Sequence, residues 1–200
     1  MPNPASEAGA GAEADRADMA CLLADQPAAL DRIIQRHGVA LHAYLIRWVQ
    51  DAEDARDLAL ETFVRLHAHR HRFDPRRSLA TWLYTIATNL ARDRLRWRQR
   101  HPQTSLHEPA PQDGPSLEAS LPDPGSDPSH RLLGEERAQA VRAAIAALPE
   151  DLRTVILLSE FENQPNAEIA SILRCSVKAV EMRLYRARHA LRNQLSAWIL

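Results

Sequence analysis

Residues Ala167 to Arg192 read AEIASILRCSVKAVEMRLYRARHALR. Ile169, Ile172 and Leu173 recur at helical spacing over a short span. Arg174 and Cys175 interrupt the pattern, and Val177, Val180, Leu184, Ala187, Leu191 and Leu195 resume it over a long one. Ser176 stands where the second helix needs an N-cap, since its hydroxyl can accept from a free amide of the first turn. Ala170 is small where two helices must approach closely. A short helix, a tight turn and a long basic helix make the pattern of a helix-turn-helix, whose second helix enters the DNA major groove. Lys178, Glu181, Met182, Arg183, Tyr185 and Arg186 fall partly or wholly outside the apolar stripe, where base edges and phosphates would be met. An amphipathic hairpin with a solvated Arg face has the same spacing, so support must come from the rest of the chain.

The charge distribution gives the first support. The 200 residues carry a formal net charge of −1, which alone argues against a nucleic-acid partner. The order of the charges reverses that reading. Met1–Asp31 holds six acids and one Arg, and Arg65–Arg100 holds ten Arg against Asp74 and Asp93. Pro102–His130 holds five acids and no Lys or Arg, and Arg174–Arg192 holds six Lys or Arg and one acid, Glu181. Two basic blocks alternate with two acidic ones, which implies two surfaces for a polyanion. Lys178 is the single lysine, a bias that suits bidentate phosphate or guanine contact but that codon usage alone would also produce. Cys21 and Cys175 have no metal-ligand spacing, so a reduced cytoplasmic setting is expected. No apolar run approaches transmembrane length, so direct membrane insertion is not expected.

Helical spacing organises the remainder. Residues 1–18 are rich in Ala, Gly, Pro and acid and read as a disordered tail. Pro27 can open a helix after an Asp25 cap, with Leu30, Ile33, Ile34, Leu41, Leu45 and Ile46 as its stripe and Gly38 a weak point. Asp51 reads as the cap of a helix whose buried face is Ala55, Leu58, Ala59, Thr62, Phe63 and Leu66. Pro75 breaks the pattern, and Ser78 caps a long helix with Leu79, Trp82, Leu83, Ile86 and Leu90 on one side. Seven of the thirteen prolines lie in Pro102–Pro128, a composition that cannot bury enough apolar surface to offset ordering. No strand pattern appears. The expected fold is all-α: a tail (1–18), a first helical domain (19–100), a flexible Pro-rich acidic linker (101–130) and a second helical domain with the helix-turn-helix (131–200).

Three strings, DARDLALETFVRLH (54–67), RFDPRRSLATWLYTIATNLARDRLRWRQR (72–100) and LPEDLRTVILLSEFENQPNAEIASILRCSVKAVEMRLYRARHAL (148–191), resemble the extracytoplasmic-function (ECF) sigma factors of bacterial RNA polymerase. The order of the strings and the acidic linker match too, and the resemblance covers all but the tail and linker. It implies a non-catalytic, dissociable specificity subunit with no cofactor. Its partners would be core RNA polymerase, promoter DNA and an anti-sigma factor. By the resemblance, Glu53, Asp57, Leu58, Glu61 and Thr62 lie on the segment that docks on core polymerase. Phe73, Arg76, Arg77 and Ser78, with Asn89 on the next helix, lie where a flipped base of the −10 element is accepted, and Arg92 and Arg96 would neutralise phosphates beside it, as would Arg94 and Arg98. Lys178, Glu181, Met182, Arg183 and Arg186 would read the −35 element. The chain departs from the family at Leu60, usually Gln, and at Arg174, usually Gly. In the second motif helix, Lys178-Ala179-Val180 replaces Gly-Thr-Val and Glu181-Met182 replaces a basic-small pair.

Other groups carry less. His67, His69 and His71 do not share one helix face and no further ligand accompanies them, so no metal site is expected. Trp82 fits the apolar stripe, whereas Trp97 lies among Arg residues and can stack on a base. Cys175 reads as a small buried apolar residue. An enzyme would need a carboxylate pair, nucleophile motif or metal spacing that the chain does not offer. A sigma-like decoy for an anti-sigma factor would, in this family, come with a receiver domain.

Overall fold

The computed structural model describes residues 4–101 and 128–196, and the expected linker lies, but for its ends, outside them. Eight α-helices run through the described residues: α1 Pro4–Leu23, α2 Ala28–Val49, α3 Ala52–Ala68, α4 Leu79–Arg100, α5 Pro128–Ala146, α6 Glu150–Ile156, α7 Asn166–Leu173 and α8 Val177–Gln194. A 3₁₀ turn at Arg70–Arg72 follows α3, and a π-helical turn at Leu157–Phe161 extends α6. No strand occurs among the described residues, in keeping with the all-α expectation.

Three helix starts follow from their capping residues. Asp51 accepts from the Asp54 amide at 2.9 Å, Ser78 from Thr81 at 3.4 Å and Ser176 from Ala179 at 3.2 Å. Each cap satisfies an amide that the helix itself leaves free. Asp25, expected to cap α2, does not. Its φ of 55° is left-handed and Pro27 occupies the N-cap position without a side-chain bond. The Asp25 carboxylate instead accepts from Arg70 at 2.6 Å. Gly38 does not interrupt α2.

The tail expected over residues 1–18 is helical from Pro4 onward and continuous with Met19 to Leu23. Its composition hid the reason, which is non-local. Asp18 receives Arg32 Nε at 2.6 Å and Arg36 Nη2 at 2.7 Å, and Asp15 receives Arg36 Nη1 at 2.5 Å and His37 Nε2 at 2.8 Å. Met19 and Leu22 are fully buried beside these pairs. Burial alone would raise the Asp18 pKa, but the hydrogen bonds from Arg36 and Arg32 outweigh it and hold the carboxyl below its usual range.

α1 to α4 pack with α2 central, and α5 to α8 gather around α6 and α8. One continuous apolar core joins the two groups. At the seam, Trp48 is fully buried, its Nε1 donates to Thr154 Oγ1 at 3.3 Å, and Arg153 donates to its carbonyl at 3.1 Å. Tyr84 Oη donates to Glu162 at 2.6 Å, Thr81 Oγ1 donates to Glu168 at 2.5 Å, and the Arg47 guanidinium lies 4.7 Å from the Phe161 ring centre.

Two outcomes test these contacts. The folded Asp18 pKa is lowered, so its contribution is present above the unfolded carboxylate value and is lost as pH falls from about 4 toward the folded value. Thermal melts of the wild type and Asp18→Asn should therefore differ at pH 7 and converge as the pH is lowered through that window. Arg174 ends α7 at φ 51°, ψ 47°, a conformation that costs an L-residue on the order of 1 kcal/mol. Arg174→Gly should raise unfolding stability by up to about 1 kcal/mol, read from the denaturant midpoint.

Candidate nucleic-acid interface

The connection from α3 to α4 is built by its own side chains. Asp74 Oδ1 accepts from the Arg76 amide at 3.0 Å and its carbonyl accepts from Arg77 at 2.9 Å. This tight turn leaves Arg76 and Arg77 exposed at its tip, with Arg77 3.8 Å from Asp74. Phe73 is half-buried against Trp82, ring centres 5.4 Å apart, and anchors the start of the turn. Ser78, exposed, spends its hydroxyl on the α4 cap.

On α4, Asn89, Arg92 and Arg96 stand at i, i+3 and i+7 and so share one face. Asn89 is exposed, and it lines a cleft of about 230 Å³ with Arg65, His69, Arg72, Trp82 and Ile86. The cleft offers an amide, an indole face and guanidinium planes, the groups that grip an unstacked base by its edge and its faces. Arg94 and Arg98 do not join this face. Arg94 pairs with Asp54, and Arg98 bonds Asp51 at 2.9 Å and lies 2.7 Å from Asp54, so both brace α4 on the start of α3. The Asp54 amide, Arg98 and the Glu53 amide hold the Asp51 carboxyl below its usual pKa against the opposing effect of burial. Trp97 is exposed and stacks on His101, centres 5.0 Å apart.

α8 buries Val180, Leu184 and Ala187. Lys178, Glu181, Met182, Tyr185 and Arg186 are all exposed, with Met182 at 49% and Tyr185 at 66%. Arg183 is set apart. Its Nε lies 3.2 Å from Asp151 and its Nη1 is 3.2 Å from Cys175 Sγ, so it ties α8 back to α6 and to the turn. Cys175 is half-buried there.

On α3, Glu53 and Asp57 are exposed and Glu61 accepts from Arg65 at 2.8 Å. Leu58 is 3% exposed and Thr62 not at all. These two side chains face the core, Thr62 bonding the Leu58 carbonyl, and are not on the exposed face of α3 that the resemblance implied. Leu60 and Val64, 65% and 52% exposed, occupy the outer face instead.

Residues 33–101 match the sigma-70 region 2 family and residues 138–191 the sigma-70 region 4 family. The chain is 34% identical to the RNA polymerase sigma-H factor of Pseudomonas aeruginosa over 84% of its own length and 86% of that protein's. It is 33% identical to the ECF RNA polymerase sigma factor SigW of Bacillus subtilis over 86% and 90% of the two chains. The chain belongs to the ECF RNA polymerase sigma factors. Among solved structures, CnrH in complex with the cytosolic domain of CnrY superimposes with a TM-score of 0.68 at 29% identity, covering 92% of this chain and 98% of that one. The sigma factor RpoE in complex with the anti-sigma factor NepR from Bartonella quintana shares the fold, with a TM-score of 0.64 at 24% identity over 83% and 96% of the chains.

An ECF sigma factor acts in promoter-specific transcription initiation, with core RNA polymerase and promoter DNA as its partners. For this one, the structure gathers Asn89, Arg92 and Arg96 on one face and the exposed α8 residues on another. It places Leu58, Thr62 and, largely, Arg183 in structural contacts. The cleft residues Arg65, His69 and Arg72 were missed in the sequence because they come from the end of α3 and the 3₁₀ turn, far from Asn89 in the chain. No helix among the described residues is long and apolar enough to cross a membrane.

The α3 assignment has a direct test. Leu58→Ala should lower folding stability by about 2–5 kcal/mol, the cost of a core truncation. Leu60→Ala should change stability by less than about 0.5 kcal/mol yet weaken binding to core polymerase, measured by titration with labelled protein.

Proposed function

We propose that the two groups of helices divide the promoter between them. The first, about residues 19–100, docks on core polymerase through the outer face of α3, with Glu53, Asp57 and Glu61 around Leu60 and Val64. Its 73–78 turn and the Asn89–Arg96 face of α4 hold the −10 element, and the second group, within residues 131–200, reads the −35 element through α8. The observation that carries this reading is the alignment of Asn89, Arg92 and Arg96 beside the cleft of Trp82, Arg65 and Arg72. Flipping one non-template base into that cleft exchanges duplex stacking for stacking on protein groups, while Arg76, Arg77, Arg92 and Arg96 meet the phosphates on either side. Binding free energy to the single strand drives opening, and nucleotide hydrolysis by this chain has no part in it.

The two grips cannot be used together while the seam is closed. Elements centred at −10 and −35 lie about 85 Å apart along B-DNA, at 3.4 Å per base pair. A packed chain of this length is roughly 40 Å across, by the scaling of size with residue number. The 26 residues from 102 to 127 have a contour length of about 90 Å, long enough for the halves to part. Promoter engagement therefore requires loss of the Trp48–Arg153 seam. A partner that favours the packed arrangement withholds the protein from promoters, and an anti-sigma factor is the partner class proposed for that role.

Reconstitution with core polymerase on the chain's own promoter tests the reading: promoter-specific transcripts are expected, and no binding to core at low salt would refute it. Within that assay, Asn89→Ala should reduce open-complex formation, read by permanganate reactivity of unpaired thymines, by more than it reduces core binding. Equal loss in both would remove the base-contact role.

A further inference from the structure

The outward surface of α8 has an unusual chemistry for a helix that meets a polyanion. With Val180, Leu184 and Ala187 buried, the opposite face carries Lys178, Met182 and Tyr185, and Glu181 flanks it. Arg183 is drawn off toward Asp151 and Cys175, and Arg188 is drawn off to Glu160 at 2.6 Å. Glu181 enters no ion pair among the described residues and is exposed near the start of the helix, the end that approaches base edges.

An ionised carboxylate has only acceptor oxygens. In the major groove it is repelled by phosphates, by guanine O6 and N7 and by thymine O4, and it gains a charge-assisted bond only from an exocyclic amino group. Adenine presents N7 beside its amino group, another acceptor facing the carboxylate, while cytosine presents its N4 amino group alone. Met182, the next residue, has no donor to spend on an edge. Its thioether and the Tyr185 ring make an apolar surface, whose match in the groove is the thymine methyl.

We propose that Glu181 selects a cytosine, and Met182 with Tyr185 a neighbouring thymine, within the upstream element, so that this factor discriminates by acceptor and methyl contacts instead of the Arg–guanine contact. The proposal rests on the reading of α8 as the −35 reader and adds which bases it reads. Lys178 and Arg186, exposed on either side, supply the positive charge that keeps the carboxylate in the groove.

The test is selection of promoters by reconstituted holoenzyme from a library randomised over the upstream element. Wild type should enrich cytosine at one position and thymine at a neighbouring one, with other bases disfavoured by about 5- to 150-fold, the usual range for a wrong base at a good contact. Glu181→Ala should level the cytosine position alone, and Glu181→Gln should move it toward adenine, whose N6 and N7 pair with an amide. Deoxyuridine in place of the selected thymine removes only the methyl group, and should weaken wild type by more than it weakens Met182→Ala. All three residues are exposed, so the variants retain the core. A cytosine preference unchanged in Glu181→Ala, or wild-type holoenzyme indifferent to the uracil substitution, overturns the proposal while leaving the −35 role intact. Holoenzyme that transcribes but shows no upstream selectivity at any position overturns the −35 role as well.

Discussion

Trp48 is the side chain on which the two halves of this molecule meet. It ends α2, the central helix of the first group, and has no exposed surface. Thr154 of α6 accepts from its indole nitrogen, and Arg153 lies with its guanidinium 5.3 Å from the ring centre while donating to the Trp48, Ala146 and Leu148 carbonyls. A buried arginine without a carboxylate is costly unless its N–H groups are used. Here its two terminal nitrogens donate to the carbonyls of Trp48, Ala146 and Leu148, while its Nε is buried without a partner and burial lowers the Arg153 pKa. The indole and the guanidinium therefore justify each other. Removing either leaves the other desolvated without its partner, a loss on the scale of about 3–5 kcal/mol for a truncated Trp.

The rest of the seam is less secure. The Glu162 side chain is buried between Tyr84 and Arg47, and burial raises its pKa against the lowering effects of the Tyr84 hydrogen bond and the Arg47 charge. A carboxyl raised on packing favours the packed form below its ordinary range and disfavours it as pH rises through the raised value. Burial of the Glu162 carboxyl thus costs the seam as that group ionises, with Tyr84 and Arg47 offsetting part of the cost. The Asp18 latch on α1 has the opposite sign and is fully formed at neutral pH. One contact fastens the N-terminal helix inside its own group, and the other gives the joint between groups a cost that grows as Glu162 ionises.

What the sequence made legible was local. The caps at Asp51, Ser78 and Ser176 depend on residues three positions away, and the α8 stripe on one period; both could be read directly at Val180, Leu184 and Ala187, although Val177 at the start of the stripe is 41% exposed. The features that stayed hidden join distant positions. α1 looked like a tail because Ala, Gly and acid carry little apolar pattern, and the Arg32, Arg36 and His37 partners of its Asp15 and Asp18 lie in the next helix. Asp25 looked like a cap because of its place before Pro27, but its carboxylate bonds Arg70, 45 residues on. At Leu58 and Thr62 periodicity and resemblance disagreed. The stripe of α3 placed both in the core, the family position placed both at a partner, and burial decides for the stripe.

The same disagreement, worked through α4 and α8, separates two kinds of DNA contact. α4 has Arg residues on two faces, and the acids at the start of α3 bind Arg94 and Arg98 while leaving Arg92 and Arg96 beside Asn89. Charge that would be indiscriminate if spread around the helix is thereby gathered on the face with the cleft of Asn89 and Trp82, where the proposed reading sets phosphate contact beside base contact. α8 has the reverse arrangement. Arg183 and Arg188 are held by Asp151 and Glu160, and the exposed surface carries Lys178, Arg186, Glu181 and the apolar pair Met182 and Tyr185. Under the proposed reading, Lys178 and Arg186 meet the phosphate backbone while Glu181 and the apolar pair select bases that supply an amino group and a methyl group. In both helices acids sort the arginines: Arg94, Arg98, Arg183 and Arg188 are held close, Arg96 lies 3.9 Å from Asp93 on its own exposed face, and Arg186 is left exposed.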